Sequence, residues 1–168
     1  VAGNLRHPEE VPAYWEDAAA YLDARGDDTR VLEIPGSDFA TYRWGNRVEP
    51  VTPGLMDRPF AARELVPYGT EASADLLIAL DRRIQEGVLD PAALAPLAGL
   101  LAVGDVVVRS DLEYERFRIA RPSQVWDMLR PALGSWGRPV RFGRPTENRA
   151  TAAPPMRDEI YLQTREPA

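Results

Sequence analysis

The stretch Asp105-Val-Val-Val-Arg-Ser-Asp111 constrains the fold more than any other part of the chain. Three consecutive valines leave no polar face, so the strand they form is buried on both sides, as in a parallel sheet. The other apolar run of this kind is Arg30-Val-Leu-Glu-Ile34, and two helical patterns lie between them. Strands joined through helices run parallel, and the crossover between them is right-handed. The expected fold is therefore α/β: a layered domain with a small, mainly parallel central sheet, flanking helices and a long irregular loop.

The helices are readable from spacing and punctuation. Val11, Trp15, Ala18 and Leu22 share one face of a helix over Val11–Arg25, with Pro12 in its first turn and Gly26 beyond its end. Ser73 is the expected cap of a second helix, Ala74–Glu86, whose Leu77, Leu80 and Ile84 face inward and which Gly87 stops. Asp90-Pro91 starts a third over Ala92–Ala102, bent at Pro96, and Ser123 caps a fourth over Gln124–Leu133. Pro139–Gly143 and Glu159–Thr164 alternate as short edge strands, with a proline-rich loop, Gly143–Pro155, between them. Trp15, Leu22, Leu80 and Val107 belong to the core. With 168 residues and 45% apolar side chains, one domain, 1–168, is expected, its residues 144–168 being a proline-rich connection and an edge strand.

Composition removes several chemistries. A net charge of -6 offers no basic surface to nucleic acid or anionic lipid. All twenty basic residues are arginine, so Schiff-base and Walker-type lysine chemistry is excluded. With no cysteine, thiol nucleophiles, cysteine zinc sites and disulfides are excluded too. A Ser-His-Asp triad would depend on the one histidine, His7, in the N-terminal segment. The longest nearly apolar stretch, Ala92–Val103, is broken by Pro96 and Gly99 and falls short of the roughly 20 residues that span a bilayer. No charged, apolar, small-residue leader opens the chain, so no signal peptide is expected.

Candidate chemistry gathers in the loop that leaves the first strand, Pro35–Pro59, which is rich in polar and aromatic residues and poor in aliphatic periodicity. Loops longer than about 12 to 15 residues in compact domains are commonly binding loops or lids, and Phe39, Tyr42, Trp44, Leu55 and Met56 argue against disorder. Ligands of parallel sheets sit beyond the carboxyl ends of the strands, where this loop and the segment Arg109, Asp111, Tyr114, Arg116 emerge. Aromatic faces with Asp, Asn and Arg suit a sugar, and arginine suits a phosphate. The same Asp and Arg residues equally suit ion pairs that pin the loop, with Tyr42 and Trp44 packed beneath it. Any two of Asp38, Asp57, Asp111 and Glu113 could in principle form a glycosidase pair, but a chain with 26 acidic residues offers such pairs by chance. Gly36-Ser37-Asp38 lacks the frame of a nucleophile elbow.

Tyr14-Trp15, the block Pro35-Gly-Ser-Asp-Phe-Ala-Thr-Tyr-Arg-Trp-Gly45, the block Pro53-Gly-Leu-Met-Asp-Arg-Pro59, and Gly104–Leu112 with Arg121-Pro122 resemble the actinobacterial α-(1→3)-arabinofuranosyltransferases. The similarity covers Pro8 to Gly143 and is to the extracytoplasmic segment that follows the transmembrane bundle of these GT-C glycosyltransferases. It implies a multi-pass membrane enzyme, with this domain on the extracytoplasmic face of the plasma membrane. Such an enzyme takes arabinofuranose from a polyprenyl-phosphoryl arabinose donor and adds it to the arabinan of arabinogalactan and lipoarabinomannan. The catalytic acids of GT-C enzymes lie on a loop between the first transmembrane helices, so no catalytic residue, metal ligand or cofactor is assigned here, and the isolated segment is expected to transfer no sugar. The resemblance implies donor or acceptor contacts in the Asp38–Trp44 block, so Asp38, Tyr42, Arg43 and Trp44 are the candidate binding residues, joined by Asp57 and Arg58 further along the same loop. Asp38, Arg43 and Trp44 are then expected together at the carboxyl end of the first strand. The partners implied are donor, acceptor and the transmembrane domain of the same chain, with no nucleic acid. The alternative is a free-standing, non-catalytic carbohydrate-binding or scaffold module.

Overall fold

The computed structural model describes residues 10–26, 28–47, 50–64, 69–115, 119–145 and 148–149. A three-stranded parallel sheet lies at its centre, in the order β4 (Phe60–Ala61), β1 (Arg30–Ile34), β5 (Val103–Val108). The loop after β1 folds part of itself into a second, antiparallel sheet, β2 (Ala40–Tyr42) with β3 (Gly45–Arg47). Four longer helices, α1 (Ala13–Asp23), α2 (Glu71–Gln85), α3 (Leu94–Leu100) and α4 (Pro122–Leu129), are followed by a single turn, α5 (Leu133–Trp136). The α/β layered architecture is thus the one read from the valine run, and β1 and β5 are parallel neighbours. Three strands were missed: β2 and β3 within the loop expected to be irregular, and β4. The helical pair leads to β5 from β4, a two-residue strand too short to carry any periodicity.

Alternate residues of β1 serve opposite faces, as the period of a strand requires. Leu32 and Ile34 pack with Leu80 and Ile84 of α2, Leu94 of α3 and Val125 and Leu129 of α4. Val31 turns the other way, onto Ala19 and Leu22 of α1 and Met56 of the loop. A third cluster joins Trp15 of α1 to Ala40, Tyr42, Val51, Leu112 and Ile119 and continues that second layer. Trp15, Leu22 and Leu80 are buried as expected, and Val107, partly buried, packs against both clusters on the α1 side.

Several boundaries moved for identifiable reasons. Thr70, not Ser73, caps α2: its hydroxyl accepts from the Ser73 N–H at 3.3 Å, so the helix starts one turn earlier. Arg121, not Ser123, precedes α4, because Pro122 takes the first helical position, where a missing N–H is harmless. The third helix is a 3-10 turn over Pro91–Ala93 that continues into α3. Pro96 falls in the first turn of α3, so it removes no helical hydrogen bond. Pro139–Gly143 forms no strand and pairs with none among the described residues. Its Phe142 instead packs on Tyr21 of α1 at 5.4 Å, and Gly143, at φ +78, fits against Tyr14. The Glu159–Thr164 strand lies outside the described residues.

Candidate functional site

The loops leaving β1 and β5 are stitched together at the carboxyl edge of the sheet. Arg43 N–H donates to the Asp111 carbonyl (2.8 Å), Glu113 N–H donates to the Thr41 carbonyl (2.9 Å), and Tyr42 bridges Leu112 in antiparallel fashion. The hairpin therefore gains the segment after β5 as a third, short strand. The Ile34-Pro35 peptide is cis, and the buried Arg109 donates from Nε (3.1 Å) and Nη2 to the Pro35 carbonyl, which fastens the start of the loop.

Asp111 is the hub of this edge. Its Oδ2 accepts from Tyr14 Oη at 2.8 Å, Trp15 Nε1 at 2.8 Å and Trp44 Nε1 at 3.0 Å, so one oxygen ties α1 to the hairpin. Burial, then the Asp111 carboxylate, pushes the Tyr14 phenol well above its ordinary range. Trp44 stacks on Tyr42 with centroids 4.7 Å apart and an 18° interplanar angle, and Tyr42 in turn meets Trp15 edge to face at 5.8 Å. Trp44 is half-buried, whereas Tyr42 is 1% exposed and its hydroxyl accepts from the Val51 N–H.

Beside the stack, Arg43 grips Glu115 through both terminal nitrogens (2.5 and 2.6 Å), donates from Nε to Asn148 Oδ1 (2.5 Å) and lies 3.9 Å from Glu113. Its guanidinium and that of Arg121 each sit 5.4 Å from the centre of the Tyr114 ring. Asn148 donates onward to the carbonyls of Ser110 (2.7 Å) and Leu112 (2.9 Å).

Asp38 goes elsewhere, contrary to the expectation that it joins Arg43 and Trp44. Its half-exposed carboxylate binds Arg63 at 2.5 Å, and Arg63 also binds Asp81 at 2.7 Å. Asp81 additionally accepts from the Gly36 N–H (2.7 Å) and from Gln85 (2.7 Å). Burial raises the Asp81 carboxyl, against the pull of Arg63. Gly36 approaches Arg63 so closely that an added Cβ would lie 2.6 Å from Arg63 Cβ, and this approach keeps the start of the loop, with Asp38, beside Arg63.

The remaining two candidates occupy the far end of the loop. Arg58 is 3% exposed and fully engaged: it donates to the carbonyls of Thr29 (2.8 Å) and Leu22 (3.2 Å) and to Thr29 Oγ1 (2.6 Å), and pairs with Asp105 at 2.8 Å. Asp57 is exposed, and its N–H donates to Asp23 Oδ2 at 3.3 Å. Arg116 lies outside the described residues.

Spacing could have found two residues that were passed over. Asp81 interrupts the inward face Leu77, Leu80, Ile84 of α2, and Glu33 interrupts the apolar run of β1. Glu33 is 1% exposed, and its Oε2 is 3.6 Å from Arg109 Nη1, beyond hydrogen-bond reach. It lines a cavity of about 10 Å³ together with Thr52, Trp15, Leu22 and Met56. Burial raises its carboxyl, and Arg109 opposes the rise. Nothing in the sequence distinguishes Glu115 or Asn148.

The Glu33 cavity and another of about 10 Å³ beside Asp81 each have room for one water. Sites that enclose small molecules are typically about 300–1,000 Å³. No group of three or more carboxylate or histidine side chains among the described residues could hold a metal ion. No described helix is long and apolar enough to cross a membrane.

A small parallel sheet with helices on both faces, whose strand exits carry an aromatic stack framed by paired charges, defines an α/β domain with a loop-borne polar and aromatic surface. The chain belongs to the family described as alpha-(1->3)-arabinofuranosyltransferase, N-terminal GT-C domain, whose model matches residues 4–168. It is 36% identical over 113 residues to an alpha-(1->3)-arabinofuranosyltransferase of Mycolicibacterium smegmatis, a match covering 67% of this chain and 8% of that protein. The Mycobacterium tuberculosis protein of the same name is 33% identical over 116 residues, again 67% of this chain and 8% of the relative. The fold is similar to part of the cryo-EM structure of arabinofuranosyltransferase AftD from mycobacteria. That match has a TM-score of 0.66 and 28% identity, over 73% of this chain and 9% of that one. The chain thus spans 8% of the length of these curated relatives.

Proposed function

We propose that this chain is a non-catalytic, extracytoplasmic domain of a membrane-embedded GT-C arabinofuranosyltransferase. The whole enzyme would transfer arabinofuranose from polyprenyl-phosphoryl arabinose to the arabinan of arabinogalactan and lipoarabinomannan. This domain would offer an open contact surface to acceptor or donor beside the transmembrane part of the same polypeptide. Family membership supports the reaction class. The observation that supports the contact surface is the Tyr42–Trp44 stack: a half-buried indole bonded to Asp111 and backed by the buried Tyr42 ring, at the strand exits where ligands of parallel sheets collect. A ring already fixed loses little freedom on binding a flat sugar face.

In this reading Arg43 and Trp44 supply the contacts at the strand exits, over the buried Tyr42, while Asp38 beside Arg63 and Asp57, on the segment that the buried Arg58 anchors, supply contacts on separate parts of the surface. Water-sized cavities support an open platform that a larger neighbour completes, not a self-contained active site. The test is Trp44→Phe and Asp57→Asn in the full-length enzyme, with arabinosyl transfer and melting temperature measured together. Asp57 is exposed, so Asp57→Asn leaves melting unchanged, and transfer is expected to fall about tenfold, equivalent to about 1.4 kcal/mol of lost contact. Full transfer in both variants, or loss that merely tracks a lowered melting temperature, would overturn the assignment.

A further inference from the structure

Strand β1 carries one acidic side chain, Glu33, into the interior, and neither of its carboxyl oxygens makes a hydrogen bond to the described residues. Arg109 Nη1, 3.6 Å from Oε2, is too far to donate and is itself without a hydrogen bond, while Nε and Nη2 of the same guanidinium are directed at the Pro35 carbonyl. A third buried group is in the same position: Thr52 Oγ1, in the 3-10 turn Thr52–Gly54 of the long loop. Folded proteins leave few buried polar atoms unpaired, so several that converge on one place point to a ligand they share. Glu33 and Thr52 do converge. Both line the cavity of about 10 Å³, whose other walls are apolar and include Trp15, Leu22, Met56 and Val107. Burial raises the Glu33 carboxyl, and Arg109 and then the Thr52 hydroxyl pull it back, as a hydroxyl close to the carboxyl does.

The geometry points to a binding site for one internal water molecule, held between the Glu33 carboxyl of β1 and the Thr52 hydroxyl of the loop. Size and chemistry select this ligand. A hard cation needs about six oxygen ligands, whereas these walls offer one carboxyl and one hydroxyl with a guanidinium beside them. An apolar guest would leave the same oxygens unpaired. Water fills a space of this volume and can donate to an ionised carboxyl or accept from a protonated one. The site also has a consequence for the loop. Its start is fastened where Arg109 donates to the Pro35 carbonyl, and its far half is held by the Val51 N–H on the Tyr42 hydroxyl (3.2 Å) and by Met56 packing with Val31. The water adds a polar tie from that far half directly to β1.

Oxygen-17 relaxation dispersion of the solvent counts waters that stay bound longer than the protein takes to tumble, and it is blind to proton exchange at the threonine hydroxyl. It is measured on the full 168-residue chain as wild type, Thr52→Val and Thr52→Ser, with melting temperature recorded for each. Valine keeps the shape of threonine without the hydroxyl, and serine keeps the hydroxyl. Thr52→Val is expected to hold one long-lived water fewer than wild type, and Thr52→Ser the same number as wild type; waters buried elsewhere are common to all three and cancel. A crystal structure of the wild type decides the matter without any variant, with a water expected at about 2.5–3.0 Å from both Glu33 and Thr52 Oγ1. Equal counts in wild type and a folded Thr52→Val would overturn the proposal. So would a crystal structure in which the cavity is dry, or in which Glu33 bonds directly to Thr52 or Arg109.

Discussion

Asp111→Ala removes the one acceptor on which Tyr14, Trp15 and Trp44 converge. A hydrogen bond to a charged group contributes about 1.5–3 kcal/mol, and a buried donor left without a partner costs about 1–3 kcal/mol. The Trp15 indole, 7% exposed, bears that cost in full. Tyr14 and Trp44 are half-buried and can turn to water, so they count for less. The sum comes to about 2–4 kcal/mol, or about 5–15 °C in melting temperature for a domain of this length. Asp111→Asn keeps an oxygen but not the charge and should cost about half as much. Urea titration followed by tryptophan fluorescence reads the loss directly, with the slope checked for a change in the exposed surface. The Tyr14 phenol should also titrate at lower pH in Asp111→Ala, since the carboxylate that raises it is gone. A loss below about 1 kcal/mol with an unchanged slope would refute the claim that this carboxylate joins α1 to the hairpin.

Two further predictions address the buried charges. In Gly104→Ala the new Cβ would lie 2.2 Å from Thr29 Oγ1 and 2.9 Å from Thr29 Cβ, so a loss of about 1–3 kcal/mol is expected; unchanged melting would show that the Thr29–Arg58 anchor is loose. Glu33 has a folded-state pKa raised above its ordinary 4.5, so between those two values the folded chain holds a proton the unfolded chain lacks, and this group's contribution to stability rises as pH falls through that window. Glu33→Gln should flatten that rise in denaturant titrations at stepped pH, and an identical pH slope in the two proteins would contradict it.

The layered fold was legible because its signals are local. The valine run of β5 and the spacing of Leu77, Leu80 and Ile84 each report a buried surface within a few residues, and both were placed where the structure has them. What failed was local in another sense. Ser73 and Ser123 are good caps by type, but Thr70 stands one turn earlier and Pro122 takes the first helical position, and a cap is chosen by competition among neighbours. Strand β4 could not be read, because two residues become a strand only through the partner at Val31 and Leu32 that aligns them.

The loop from Pro35 to Pro59 shows the limit from the other side. Its residue types were right for either a ligand surface or an ion-paired brace, and the choice depends on which opposite charge each arginine meets. Arg43 finds Glu115, 72 positions away, and Asn148, 105 positions away, whereas Asp38, five positions from Arg43, turns to Arg63. Proximity in sequence carried no information, because the tight approach of Gly36 to Arg63 keeps Asp38 beside Arg63 before the hairpin carries Arg43 to Glu115. The brace and the surface are then not alternatives. Pairing Arg43 with Glu115, bonding the Trp44 indole to Asp111 and burying Tyr42 beneath it is what fixes that indole at the strand exits, and an aromatic face on an otherwise unbraced loop would have to lose that freedom at the moment of binding.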